Sequence, residues 1–447
     1  MILYIPIELE NRELHSKILL ASHALKKGFK VILGKKNQLN RFIKHMPPGV
    51  YYGLGAFKNF EVFYSYLNKK KFNIVVCEEE GLVTYKEDMY IDMRVSKDTL
   101  QYINRIYTWG DHHRDILNNK FVKFKNRFVV TGNPRFDLIN EKYNKIYKNE
   151  ISYIKNKYKK IFLVCTSFSS VNHFQKNIDY IQSLIEKKTI RNKETKERFI
   201  KYQNLKKKTL ESYVKLIPII AEKNPDIDFI IRPHPSENHD LYLSLEKKHK
   251  NIFVETRFSV HPWIKCSIGI LHHYCTTAIE ALALNIPRFS FRPIIDKNCE
   301  YDFPFECSYV SSNKTSFVNN LNLFFKKKFR PKDNTCYTDY SKYALNIFEI
   351  KACNIILDDI QSNLKIEKVS NIIYKLRLYI SIYYYYFVKF IQKFSLNINN
   401  DYSIHKFHSF DQSKIQKLLS IFISEFSVDI KIISNDIVLL EKIKNHE

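Results

Sequence analysis

The sequence predicts an α/β chain of two domains, each built on a parallel sheet, followed by a mainly helical C-terminal extension. Three observations carry this reading. The 447 residues exceed what one ordinary core serves, and two domains of about 150 residues plus a tail are the natural division. Short apolar runs alternate with helical stretches in two series, as strand–helix–strand units with right-handed crossovers do. A polar, Lys-rich stretch from about 138 to 160 parts the two series, and the alternation fails beyond about 330. The expected divisions are therefore 1–150, 151–330 and 331–447.

In the first series, residues 1–6 form a short apolar strand followed by the loop IELENRE. A helix from about Leu14 to Lys27 places Ile18, Leu19, Ala21, Ser22 and Leu25 on one face, and Gly28 stops it. FKVILG (29–34), a helix at about 57–70, FNIVVC leading into Glu78-Glu79-Glu80-Gly81, RIYTWG (105–110) and RFVVTGN (127–133) complete the series. The second runs through KKIFLVCTSF (159–168), a long helical stretch from Lys176 to about Glu222, DFIIRPHPSE (228–237), NIFVET (251–256), CSIGILHH (266–273), a helix from about Thr276, and IPRFSFRP (286–293). Residues 366–394 read as helical, aromatic and basic, and the last fifty residues as short mixed elements. Only nine glycines occur; Gly81, Gly110, Gly132 and Gly269 sit at or near predicted strand ends, the edge where open α/β sheets bind ligands.

Composition narrows the partners. Lys and Arg number 72 against 46 Asp and Glu, a formal charge of +26. That balance favours anionic substrates or an anionic membrane surface, although scarce Gly beside abundant Lys, Asn, Ile and Tyr also fits an A+T codon bias. No nucleic-acid recognition motif occurs and the lysines are spread, so nucleic acid is not an expected partner. The eight cysteines form no CxxC pair and read as reduced thiols. With no signal-like opening and no long uncharged apolar window, the expected location is the cytoplasm, as a peripheral protein at the inner face of the membrane. Residues 371–394, with Lys375, Arg377, Lys389 and Lys393 among aromatics, suit an interfacial helix on anionic lipid; an aromatic core helix reads the same way.

Three clusters carry chemistry. Glu78, Glu79 and Glu80 crowd the tip of a buried strand, which raises at least one carboxyl pKa and prepares a base or nucleophile; an acidic turn closed by Gly81 is the plain alternative. In Arg232-Pro233-His234-Pro235 the prolines hold the imidazole of His234 in an aimed position, and Arg232 offers a bidentate grip on phosphate. His272 and His273 precede Thr276 and Thr277, which open a helix whose first-turn amides favour a phosphate. Glu280 on the same face serves as a capping-box partner or reaches a ribose hydroxyl. Arg135, in Thr131-Gly132-Asn133-Pro134-Arg135-Phe136-Asp137, and Arg12, in the first loop, are candidate acceptor or anion contacts. The pairs His112-His113 and His272-His273 splay apart, so no metal is expected.

The acidic pair with Gly (Glu79-Glu80-Gly81), the pair His234-Pro235 and the pair Thr276-Thr277, in this order, resemble the motif set of bacterial polysialyltransferases and capsule Kdo (3-deoxy-octulosonate) transferases. Arg232 to Pro235 and the helix Thr276-Thr277 to Leu282 are similar also to CDP-glycerol glycerophosphotransferases of wall teichoic acid synthesis. Arg12-Glu13-Leu14 with Thr131 to Asp137 looks like a group of surface carbohydrate biosynthesis proteins. The resemblance covers about residues 1–300 and leaves the tail unmatched. It implies a GT-B architecture, two Rossmann-like domains facing across a cleft, with the acceptor on the first and the nucleotide donor on the second. It further implies a metal-independent glycosyltransferase with no cofactor beyond its nucleotide-sugar donor, moving a CMP-activated ulosonic acid such as Kdo or sialic acid onto a glycan or lipid-linked acceptor. A CDP-glycerol-type polyol-phosphate transferase is the alternative, and a basic membrane- or nucleic-acid-binding protein an alternative of another class. On this resemblance Glu79 or Glu80 is the catalytic carboxylate, while His234 and Thr276/Thr277 hold the donor phosphate; three glutamates in a row leave the catalytic one open.

Overall fold

A computed structural model describes residues 1–79, 86–175, 178–300, 303–331, 340–346, 349, 351–365, scattered positions from 372 to 387, 410–434 and 436–443. Glu80, Gly81, Lys375, Lys389 and Lys393 lie outside the described residues.

The first sheet contains β1 (Ile2–Ile7), β2 (Lys30–Lys35), β3 (Val50–Gly53), β4 (Asn73–Cys77), β5 (Arg105–Thr108) and β6 (Phe128–Val130). These six run parallel in the order β2-β1-β3-β4-β5-β6. Their side chains are buried on both faces, which is why the strands read as continuous apolar runs. The Glu10–Lys26 helix between β1 and β2 starts four residues earlier than expected. Gly28 (φ +81°) ends it, with Phe29 N donating to Ala24 O at 3.0 Å across the turn.

The second sheet contains β7 (Ile161–Cys165), β8 (Asp228–Arg232), β9 (Ile252–Val254), β10 (Ser267–His272), β11 (Arg288–Phe291) and β12 (Tyr309–Ser311). All are parallel, in the order β12-β11-β10-β7-β8-β9. The chain builds outward from β7 to β9, then crosses to β10 and builds outward the other way. The winding therefore reverses between β7 and β10, and in such sheets the crevice at that reversal is the ligand site. The expected single helix from Lys176 to Glu222 is two, Tyr180–Glu186 and Lys193–Glu222. Lys188 at φ +56° breaks them apart, and the Asn192 side chain caps the second by accepting from Thr195 N at 2.7 Å. Gly269 lies inside β10, at a register shift, rather than at a strand end.

Among its described residues the tail carries the expected helices, Ala352–Asn363 and Gln412–Phe422, and two strands besides: β13 (Val428–Ser434) and β14 (Ile437–Lys442) form a hairpin that joins the first sheet, with β14 antiparallel to β2. The helices Ala352–Asn363 and Gln412–Phe422 pack on the Glu10–Lys26 helix in the first domain's core. Asp137 organises this return. Its carboxylate accepts from the amides of Lys351, Ala352 and Cys353 at 3.2, 3.1 and 2.9 Å, capping the first tail helix. Gly132 (φ +77°) is needed beside it, since a side chain there would meet the carbonyl of Leu345. At the described positions between 372 and 387, Ile372, Tyr379, Tyr383 and Phe387 are exposed.

Because β14 seals the edge of β2, Leu440→Ala at a fully buried position should destabilise the protein by about 2–5 kcal/mol and lower its thermal midpoint. Ile432→Ala on the exposed face of β13 should cost less than about 0.5 kcal/mol. Equal midpoints for both variants would remove the hairpin from the fold.

Candidate functional site between the two sheets

The carboxyl edges of the two sheets face one another. Apolar side chains after β10 (Tyr274, Ala278, Ile279) and Phe303 and Phe305 share one core with Trp109 and Phe136 of the first domain. Polar groups of both domains are buried around that core.

At the tip of β4, two carbonyls are held by four donors. Glu78 O accepts from Trp109 Nε1 at 2.7 Å and Asn133 Nδ2 at 3.3 Å. Glu79 O accepts from Arg12 Nη2 at 2.7 Å and Arg135 Nη1 at 2.9 Å. The Glu78 carboxylate meets Arg94 and Tyr90 Oη. The Glu79 carboxylate pairs with the buried ammonium of Lys17 through Oε1, while Oε2 has no hydrogen-bond partner among the described residues. Burial alone would raise the Glu79 pKa, but Lys17, Arg135 and Arg12 outweigh it and hold the group below the usual carboxylate range. The raised carboxyl expected at this tip is thus not Glu79, because cations converge on it. A raised carboxyl does stand close by: Glu13 on the first helix is pushed to about 7 by burial and by the Glu79 charge, and its oxygens accept from the amides of Glu8 and Leu9.

Arg135 crosses between domains. Its Nη2 pairs with Glu280 Oε1, both side chains being buried. Glu280 Oε2 lies 3.8 Å from His261 Nε2, and His261 Nδ1 is 3.0 Å from Tyr147 Oη. Burial pushes His261 down to about 4 against the pull of Glu280. Glu280 is thus the second domain's half of an interdomain ion pair rather than a capping-box partner. Arg12 and Arg135 come together on one carbonyl of Glu79.

In the second domain a carboxylate that sequence reasoning passed over arranges the strand tips. Buried Glu237 accepts from Thr166 Oγ1 (3.0 Å), Phe168 N (2.8 Å), His234 N (3.3 Å) and Tyr242 Oη (2.5 Å), tying β7 to the His234 loop. The imidazole of His234 is held by Ser236 N, which donates to Nδ1 at 3.2 Å. Arg232 has a different task from the phosphate grip expected of it. Its guanidinium donates to the carbonyls of Glu255, Arg257 and Phe258 at 3.3, 2.8 and 2.9 Å and stacks on Trp263.

The two histidines after β10 part company. His272 is buried beside Ser308, with Nε2 2.7 Å from Oγ, and burial lowers its pKa to about 3. It fills the interior and does not reach the edge. His273 lies at the β7/β10 reversal, with Nδ1 3.4 Å from Lys206 Nζ and Nε2 3.6 Å from Glu300 Oε1. Arg292 holds Glu300 in turn through two bonds to Oε2, at 3.0 and 2.6 Å. Ser167 after β7 donates to His273 O at 2.6 Å, closing the reversal point. The helix beyond is short, Thr277–Ala283. The Thr276 side chain makes no cap bond there, and the amides of Ala278, Ile279 and Glu280 already donate to the carbonyls of Cys275 and Thr276. That turn, entered through Tyr274 at φ +57°, offers fewer free amides than expected.

No protein-family model matches the chain, and no curated protein matches it. Solved structures do. A UDP-GlcNAc 2-epimerase from Methanocaldococcus jannaschii, in complex with UDP-GlcNAc and UDP, is 15% identical over 81% of this chain and 99% of its own, with a TM-score of 0.53. The wall teichoic acid polymerase TagF, soaked with CDPG, is 12% identical over 81% and 87%, at 0.52. A UDP-GlcNAc 2-epimerase from Neisseria meningitidis bound to UDP-GlcNAc is 13% identical over 81% and 100%, at 0.50. The fold is thus the expected one of two Rossmann-like domains facing across a cleft, as in GT-B enzymes.

Two outcomes follow from the buried charges. Arg135→Met or Glu280→Leu alone strands a charge and should destabilise the protein by about 3–5 kcal/mol, whereas the double variant should recover most of that loss. Additive losses in chemical unfolding would mean that the pair does not couple the domains. Glu13 has a folded-state pKa above its unfolded value, so its stabilising contribution is present below about pH 4.5 and lost as pH rises through about 7. Glu13→Gln should therefore flatten the fall in thermal midpoint between about pH 5 and 8; an unchanged slope would contradict the assignment.

Proposed function

We propose that the chain is a transferase that takes a nucleotide-activated donor and builds a surface carbohydrate in the cleft between its two sheets. The observation that carries this is the buried Arg135–Glu280 pair, which ties the β4 tip, with its cation-held Glu79 carboxylate, to the segment after β10. UDP-GlcNAc and CDPG, named with the structural neighbours, support a nucleoside diphosphate donor as the first to test; the sequence resemblance supports a CMP-activated ulosonic acid as the next.

In this reading the donor phosphate lies at the second sheet's edge, near His234, His273 and the Thr276 hydroxyl, with Thr277 beside it. Fixed donors there neutralise the charge that develops on the leaving group. Glu79 faces it from the first domain. Lys17 and Arg135 keep the carboxylate ionised, which is the form that accepts a proton, and Oε2 is the oxygen left to take it from an acceptor hydroxyl. Arg12 and Arg135 hold the backbone that carries Glu79 and so position it.

Incubation with UDP-GlcNAc, CDP-glycerol, CMP-Kdo and CMP-sialic acid, each with a glycan acceptor, should release the nucleotide from one of them. Glu79→Gln should slow that release by about 10²–10⁴-fold, and His234→Ala should slow it as well. Near-wild-type rates in both variants would end the proposal. Conversion of UDP-GlcNAc to its 2-epimer without an acceptor would redirect it to an epimerase.

A further inference from the structure

The Lys193–Glu222 helix buries one stripe, Tyr202, Leu205, Lys206, Thr209, Leu210 and Tyr213; Leu210 and Tyr213 join the second sheet's core, while Tyr202 and Leu205 cluster with Met89 and Met93 of the first domain. Lys206 is the charged member of that stripe, and the residue is 1% exposed. The ammonium lies 5.4, 5.6 and 5.5 Å from the ring centres of Phe168, Tyr202 and Tyr274. It donates to Ser167 Oγ at 3.1 Å and to His273 Nδ1 at 3.4 Å. Among the described residues no carboxylate pairs with it.

Such a group is costly to bury, because rings and neutral oxygens repay only part of the lost hydration of a charge. Burial pushes Lys206 down to about 8, which still leaves most molecules protonated at neutral pH. Its hydrogen bonds also fix its neighbours. His273, held neutral by burial at about 4, accepts at Nδ1 and directs its Nε2–H to Glu300. The ammonium has three N–H donors, and two are spent.

The position is not arbitrary. Ser167 follows β7 and His273 follows β10, so Lys206 reaches from behind into the crevice where the sheet's winding reverses. Ser167, which accepts from the ammonium, is only half-buried. We propose that Lys206 is the cation that receives a phosphate group of the donor, its third N–H bonding a phosphoryl oxygen that enters over Ser167. The proposal rests on the nucleotide-donor reading above and adds the residue that holds the anion. Lys206 lay in a stretch that reads as a polar helix, and none of the recognised motifs includes it.

Titration calorimetry on the full chain tests it, with UDP, CDP and inorganic pyrophosphate as ligands and Lys206→Met, Lys206→Gln and exposed Lys208→Gln as variants. Both Lys206 variants should weaken binding of the nucleotides and of pyrophosphate by about tenfold or more, while Lys208→Gln leaves it unchanged. Without ligand, Lys206→Met should melt no lower than wild type, since it removes an uncompensated buried charge. Unchanged affinity in the Lys206 variants while wild type binds nucleotide would overturn the role of Lys206 and leave the nucleotide reading standing. Lys206-dependent binding of pyrophosphate with no nucleotide binding would do the reverse. A lower melting temperature with unchanged affinity would make Lys206 a packing residue, and no binding of any ligand to wild type would overturn both readings.

Discussion

A buried guanidinium needs a partner, and Arg135 finds two in different domains: the carbonyl of Glu79 at the β4 tip and the carboxylate of Glu280 after β10. The rest of the cleft depends on this constraint. An ion pair this deep is stable only when both charges are present and well bonded, so it sets the register in which the two sheet edges meet. Lys17 then has a fixed Glu79 to pair with, Glu280 orients toward His261, and His261 toward Tyr147. From helix to strand tip to facing domain, each polar group is held by the next.

What the sequence disclosed follows from this physics. Strands buried on both faces leave unbroken apolar runs, so ILYIPI, FKVILG, FNIVVC and KKIFLVC were readable as elements and their alternation as a doubly wound architecture. The tip residues Glu79, His234 and His273 were readable because chemistry collects at carboxyl edges. Partner choice was not readable. Nothing local to Glu280 says that it pairs with an arginine 145 positions away, and nothing local to Arg232 says that loop carbonyls take its donors. Lys206 resembled any solvent-facing lysine, because its burial is decided by which face of a long helix meets the sheet. β3, four residues long, and the tail hairpin carried too little length to stand out, and the hairpin's place depends on which sheet edge is vacant.

The formal charge of +26 also reads differently in three dimensions. Among the described residues few cations are buried, and several of them bear on the site: Lys17 on Glu79, Arg135 between domains, Arg292 on Glu300, and Lys206 at the reversal in the second sheet. The other cations among the described residues are mostly partly or fully exposed, where they attract anions at long range and are screened by salt. Substrate anions are thus drawn in by a diffuse field and sorted by a small number of desolvated groups.

Hydrogen exchange on the full chain with and without UDP or CDP tests the central claim most directly. Binding at the facing strand tips predicts protection of the amides of 166–168, of His234, Ser236 and Glu237, and of 272–278, after the two strands flanking the reversal and on the His234 loop. Protection confined instead to the basic and apolar groove lined by Val95, Lys120, Phe121, Phe124 and Arg191, a cavity of about 520 Å³, would contradict the account.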